Sequence, residues 1–497
     1  MVTTLMVASV MALLLLHTSR VQAAPGDDMT AKPDASVAPE APAPSDSDLI
    51  SPEEQQAGFV RLWSEAKYNF ASFDNVPEVN WDKVLEEYLP QFNEPRDEYH
   101  YYRILEKCLA QLRDGHTRVD NVPAPGEDRP LVLIRPVEGK AVMTRVAGNP
   151  ELSAQGVKPG CVVVRVDGRD VKDILEKDLY PYVCASTPQM RDENAYWRIL
   201  DGPLDVAVSV VIVDLQGAER TVTLTRNWRN FPDIWAGWRV LDAPRVRSRA
   251  DVIRASLGIA STEALAEVAG VFEYRNLEGD FAYVALRSFM TDEGPRAFEK
   301  VLDRVRSSKG LIIDVRDNSG GSTGNGFAVI SRLIDKPVKG ETWRCPQHIS
   351  AFKAWGDKMP QYVGKPAVVE PATDMPPFLG PVVVLTGATT ISAAEDFLIP
   401  LHFARRAVLV GEPTAGSTGQ PLIVDLPGGG AALVCAKHDT YPDGREFVGI
   451  GVIPDVEVHP TVADIASGRD AVLEKGIEVL KGLSVDHGKE GQDVPRP

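Results

Sequence analysis

A serine stands where an apolar strand turns into a helix in PVVVLTGATTISAAEDFLIPL, residues 381–401. The run 382–385 reads as a buried strand, a Gly/Thr turn follows, and Ser392 opens a helix that begins Ala393, Ala394, Glu395, Asp396. A hydroxyl placed there lies at the positive end of the helix dipole. The backbone N–H of Ala393 can face an oxyanion formed beside it. Acyl transfer through a serine nucleophile is the chemistry such a turn supports. The same residues also fit a purely structural role, because Ser392 with Glu395 three positions on is a capping box. Taken alone, this segment favours the cap; the remainder of the chain reverses that.

A second candidate is GLIIDVRDNSGGSTG, a strand running into Asp317, Asn318, Ser319, Gly320 and Gly321. Glycines directly after a strand let backbone N–H groups approach a ligand closely. They could cradle phosphate or supply one half of an oxyanion hole. Phosphate is the weaker option, since no G-x-x-x-x-G-K-[ST] pattern exists, and a plain turn is the competing reading.

The elements that must position these residues follow from composition and periodicity. The chain has 497 residues, 44% hydrophobic and 25% charged, which suits about three soluble domains. A formal net charge of −17 argues against nucleic acid or anionic lipid as partner. Residues 1–24 carry a short apolar run ending in VQAA, the pattern of a signal peptide cleaved near Ala23 or Ala24. The expected product is an exported protein, periplasmic or extracellular, with no membrane contact beyond that segment. Residues 25–51 are rich in Ala, Pro, Asp and Ser and read as a disordered tether. Apolar spacing of three and four over FVRLWSEAKYNF, WDKVLEEYL and YYRILEKCLAQL predicts a helical domain over 52–118, with His116 just after its last helix. Strand patterns AVMTRV, CVVVRVDG, DVAVSVVIV and RTVTLTR fill 131–226. Within them AQGVKPGCVVVRVDGRDV resembles the middle of a PDZ domain, a module that binds peptide C-termini at a sheet edge. Residues 227–270 read as a connector, 271–482 as alternating strands and helices of an α/β core, and 483–497 as a disordered tail. Cys108, Cys161, Cys184, Cys345 and Cys435 form no C-x-x-C pair, so no zinc or redox motif is present. Buried thiols are the simpler reading, though one or two disulfides would suit an oxidising compartment.

Taken together, GLIIDVRDNSGG, VVVLTGATTISAAEDF, AVLVGEPTAGSTGQP and FVGIGVIPDVEV resemble, in order and spacing, the C-terminal processing peptidase and tricorn-core family of serine endopeptidases. The resemblance covers roughly residues 52–480. It implies an α/β fold with a crotonase/ClpP-like catalytic core, an N-terminal helical domain and a PDZ-like β-rich domain. It makes Ser392 the nucleophile, with Ala393 and Gly320 or Gly321 supplying the oxyanion-hole N–H groups. A serine needs a base, and the family divides there. One branch uses a lysine in G-E-x-T-x-G-K, but here GEPTAGS places Ser417 at that position. The tricorn-like branch uses a histidine ahead of the PDZ-like insert, and RDGHTRV supplies His116. On its ordinary value near 6.5, a histidine base would give an activity limb within a unit or two of that pH. For the third member, the family's glutamate near the last motif has Val448 in its place, leaving Glu446 two residues earlier and Glu395 as candidates. His438 is a reserve base; His402 and His459 read as structural or surface residues. The implied partner is a polypeptide, captured by its C-terminus, with room for an oligomer and no cofactor or metal. The competing function is a catalytically weak peptide- or hydrophobic-ligand-binding protein on the same fold.

Overall fold

A computed structural model describes residues 49–120, 127–230 and 270–487. The signal peptide over 1–24, nearly all of the tether over 25–51, most of the connector over 227–270 and the end of the tail over 483–497 lie outside the described residues. Among the described residues no helix is long and apolar enough to cross a membrane.

The C-terminal half is built on a six-stranded sheet in the order Phe272–Leu277, Phe281–Leu286, Gly310–Asp314, Val382–Thr386, Val408–Gly411, Val456–Glu457. The first pair is antiparallel and the rest are parallel. Every residue of FAYVAL, GLIID and VVVLT is buried, as continuous apolar strands are when helices cover both sheet faces. The two-residue period of a strand then divides each run between two cores. Ala282, Val284, Leu286, Leu311, Ile313, Val382 and Val384 face the larger one, with helices Glu293–Arg306, Thr323–Ile330 and Ala393–Phe403. Phe281, Tyr283, Ala285, Ile312, Val383 and Leu385 face the smaller one, under helix Ala471–His487. That helix continues past residue 482, through the first residues where a disordered tail was expected.

Three helices open the described chain, and each begins as its sequence dictates. Ser51 and Glu54 form a capping box for Pro52–Asn69, Asn80 caps Trp81–Tyr88, and Asp97 caps Glu98–Ala110. Their apolar faces pack with Val424, Ala432 and Val434 from the strands Pro421–Asp425 and Ala431–Cys435, and with Leu426 just after the first of these. The approach is close: a Cβ on Gly58 would lie 2.5 Å from Pro427 Cδ. The short strand Arg118–Asp120 then joins that pair, with Arg118 opposite Leu433. His116 is thereby delivered from the helical segment to the C-terminal half.

Residues between these parts form a second six-stranded sheet, antiparallel throughout, from Val132–Val137 to Glu219–Thr225. Helix Pro188–Tyr196 packs against its Val132–Val137 edge. Ala415, from the GEPTAGS loop, is buried in the apolar core of this sheet.

Candidate active site

Strands Gly310–Asp314 and Val382–Thr386 are parallel neighbours, with Asp314 opposite Leu385. The loops leaving their C-terminal ends therefore run side by side, the place where open α/β sheets hold their ligands. One loop carries DNSGG and the other carries Ser392. Ser392 sits at the N-cap of helix Ala393–Phe403 with φ 63 and ψ −133. A side chain held at positive φ costs on the order of 1–3 kcal/mol and persists only where its surroundings enforce it. The enforcement is visible: Ser392 N donates to Ser417 O at 2.9 Å and to Glu395 Oε2 at 3.2 Å. The sharp strand-to-helix turn lifts Oγ out of the backbone, and His116 Nε2 lies 3.1 Å from it.

His116 is held by the loop after helix Glu98–Ala110. Its N–H donates to Asp114 Oδ1 at 2.8 Å, Thr117 N donates to Asp114 O, and Gly115 N donates to Ser186 Oγ. The other ring nitrogen, Nδ1, is 2.8 Å from Ser417 Oγ. Burial is the main force on its titration and lowers the pKa to about 4, with the Arg118 and Lys437 cations adding to the effect. The ring is accordingly neutral near pH 7, and a neutral ring can accept a proton.

The DNSGG backbone is pressed against the serine turn. A Cβ on Gly320, whose φ is +86, would lie 2.7 Å from Ser392 Cβ and 3.0 Å from Ala393 N. Gly320 N itself donates to Asn318 Oδ1 at 2.9 Å. That leaves the N–H groups of Gly321 and Ala393, neither of which donates to another group among the described residues. Gly321 is exposed and Ala393 is buried at the helix start.

The two candidate carboxylates separate. Glu395 is fully buried and accepts from Thr414 Oγ1, Gly416 N at 2.8 Å and Ser417 N at 2.9 Å, as well as from Ser392 N. Burial raises its pKa to about 7 against the pull of those donors. Glu446 is not brought to His116. It lies 2.6 Å from His438 Nε2 and 2.7 Å from Arg344 Nη1, and these partners hold its carboxyl below the ordinary value against burial. His438 is buried, with Nδ1 2.7 Å from Ser72 Oγ and Nε2 on Glu446, so its ring hydrogen bonds go elsewhere than Ser392. His402 bonds Tyr441 and His459 lies between Glu412 and Glu457. Among the described residues no group of His, Cys, Asp and Glu is arranged to hold a metal ion, and all five cysteines are free. Ser417 is the contact that motif reading passed over. The sequence marked it only as the residue standing where a lysine would be.

Residues 280–458 match Peptidase family S41. The chain is 26% identical over 434 residues to the chloroplastic C-terminal processing peptidase of Tetradesmus obliquus, covering 82% of this chain and 78% of that protein. It is 25% identical over 447 residues to the carboxyl-terminal-processing protease of Synechocystis sp., covering 86% and 87%. Its fold is that of the crystal structure of mature CPAF, with a TM-score of 0.65 at 15% identity over 86% of this chain and 97% of that one. Residues 280–458 thus carry an S41 peptidase domain on an α/β sheet, which makes the chain a serine-type peptidase, similar over most of its length to C-terminal processing peptidases.

Proposed function

We propose that this protein is an exported serine endopeptidase in which Ser392 is the nucleophile and His116 its base. The observation that carries this reading is the 3.1 Å approach of His116 Nε2 to Ser392 Oγ at a backbone position strained for a serine. His116 takes the hydroxyl proton as Oγ attacks the peptide carbonyl. The N–H groups of Ala393 and Gly321 receive the developing oxyanion, with Gly320 shaping the loop. The protonated ring then gives its proton to the leaving amine, and water hydrolyses the acyl-enzyme with the same ring as base.

In this reading residues 52–118 form the helical domain that brings in the base, 271–482 the catalytic core, and 131–226 a PDZ-like domain that captures substrate by its C-terminus. The VQAA segment supports export, and a mature chain beginning after Ala23 or Ala24 in N-terminal sequencing from the native host would bear on it directly. The catalytic assignment is tested with a fluorophosphonate probe and a peptide-turnover assay. Intact protein is expected to label and to cleave, while Ser392→Ala and His116→Ala lose turnover by several orders of magnitude. Labelling that survives Ser392→Ala would remove the assignment.

A further inference from the structure

We infer that Ser417 is a positioning residue for the base: its hydroxyl accepts the Nδ1–H of His116, so that Nε2 is left bare toward Ser392, and Glu395 acts through it by anchoring its backbone. The inference deepens the Ser392/His116 reading and rests on it. A neutral imidazole carries one proton on one nitrogen, and the hydrogen bond at the other nitrogen decides which. For Nε2 to accept from Ser392 Oγ, the proton must lie on Nδ1. A buried N–H left without an acceptor is destabilising, and Ser417 Oγ at 2.8 Å is the acceptor present. Ser417 is fully buried.

The same residue ties nucleophile and base into one unit. Its carbonyl accepts the Ser392 N–H at 2.9 Å and its own N–H donates to Glu395 Oε2 at 2.9 Å. Gly416 beside it has φ +65, and a Cβ there would lie 2.6 Å from both Gly451 N and Thr187 Cγ2. A Cβ on Gly115 would come within 2.8 Å of Ser417 Oγ. The hydroxyl is thus fixed from several sides, and a shift of Glu395 would move it. The arrangement differs from a triad with a carboxylate at Nδ1. A hydroxyl sets tautomer and orientation but brings no full negative charge to the imidazolium that forms during turnover.

The test is nitrogen-15 NMR of histidine-labelled full-length protein, combined with steady-state kinetics of Ser417→Ala. His116 signals are identified by their absence from His116→Ala. In the wild-type protein at pH 7 the expected spectrum has Nδ1 protonated and Nε2 bare. In Ser417→Ala the Nε2–H tautomer is expected to become populated, with kcat falling roughly 10–100-fold and KM within about threefold, less than the ~10⁴-fold loss when a carboxylate orienter is removed. An Nε2–H tautomer in the wild-type protein would overturn the inference without any variant, so a Ser417→Ala that fails to fold does not shelter it. A folded Ser417→Ala with kcat within threefold of wild type would overturn it as well. If Ser392→Ala or His116→Ala still turned over substrate, the fault would lie in the nucleophile–base assignment instead.

Discussion

The protonation of one ring sets the working range of this site. His116 is buried among Asp114, Ser417 and Ser392, and burial penalises its charged form more than any neighbour favours it. As the proposed base, His116 must be neutral to act, so activity is expected to be lost as pH falls through its folded pKa. The acid limb of kcat/KM is therefore expected near pH 4, below the range inferred from an ordinary histidine, and the enzyme should keep most of its activity at pH 5.5. A pH profile on a short peptide checks this, and a limb at 6.5 or above would mean that the ring is solvated when substrate binds. The sign for stability is the same. The folded state binds fewer protons than the unfolded one between about 4 and 6.5, so this group's contribution to stability rises across that window. Glu395 runs the other way: its raised folded value makes its contribution fall as pH climbs from its unfolded value toward 7.

Two loops leaving adjacent parallel strands frame the proposed oxyanion site. The DNSGG loop can lie against the Ser392 turn only because Gly320 and Gly321 have no side chains. Gly320→Ala would place a Cβ 2.7 Å from Ser392 Cβ at φ +86, and Gly321→Ala would place one 2.3 Å from Met290 N at φ +136. Such contacts cannot be kept, so the loop must retreat from the serine. Each variant is expected to lower kcat by about 10²-fold or more, in the range seen when an oxyanion donor is lost, while circular dichroism shows the sheet intact. If Gly320→Ala lost activity and Gly321→Ala did not, the second donor would have to be sought elsewhere than Gly321. The helix behind the serine contributes at this scale too. Glu395, one turn in, ties Thr414, Gly416 and Ser417 to the helix start, so the third segment of the site moves with the second.

Across the whole molecule, the segment 131–225 holds the loops of the candidate site as well as packing beside them. Thr187 Oγ1 donates to Ala415 O at 2.9 Å, Gln189 Nε2 donates to Thr414 O at 2.8 Å and to Ile450 O, and Ser186 Oγ receives the N–H next to His116. Arg145, on the Lys140–Val146 strand, reaches Asp317 of the DNSGG loop at 3.5 Å. A domain that served only to capture long substrates would affect long substrates only. With these contacts, removing residues 131–225 should reduce turnover of short peptides and long proteins alike. Parallel assays on a short fluorogenic peptide and a full-length protein substrate decide it. Short-peptide activity near wild type would show that the loops hold their shape unaided.

What the sequence determined by itself is local. Apolar runs such as VVVLT and GLIID read as buried strands, and Ser392 reads as the residue that opens the helix following its strand, because periodicity and capping act over a few residues. The motif order then pointed to Ser392, His116 and the glycine loop through their resemblance to a family. Tertiary packing decided the rest. His116 meets Ser392 across 276 residues and Ser417 across 301, a meeting made when strand Arg118–Asp120 pairs with Ala431–Cys435. No local signal separates Glu395, which joins the site, from Glu446, which binds His438 and Arg344 instead. Nor could the chain alone show that Asn318 occupies the Gly320 N–H, or that burial lowers the histidine, since desolvation depends on everything packed around a group and on none of its neighbours in sequence.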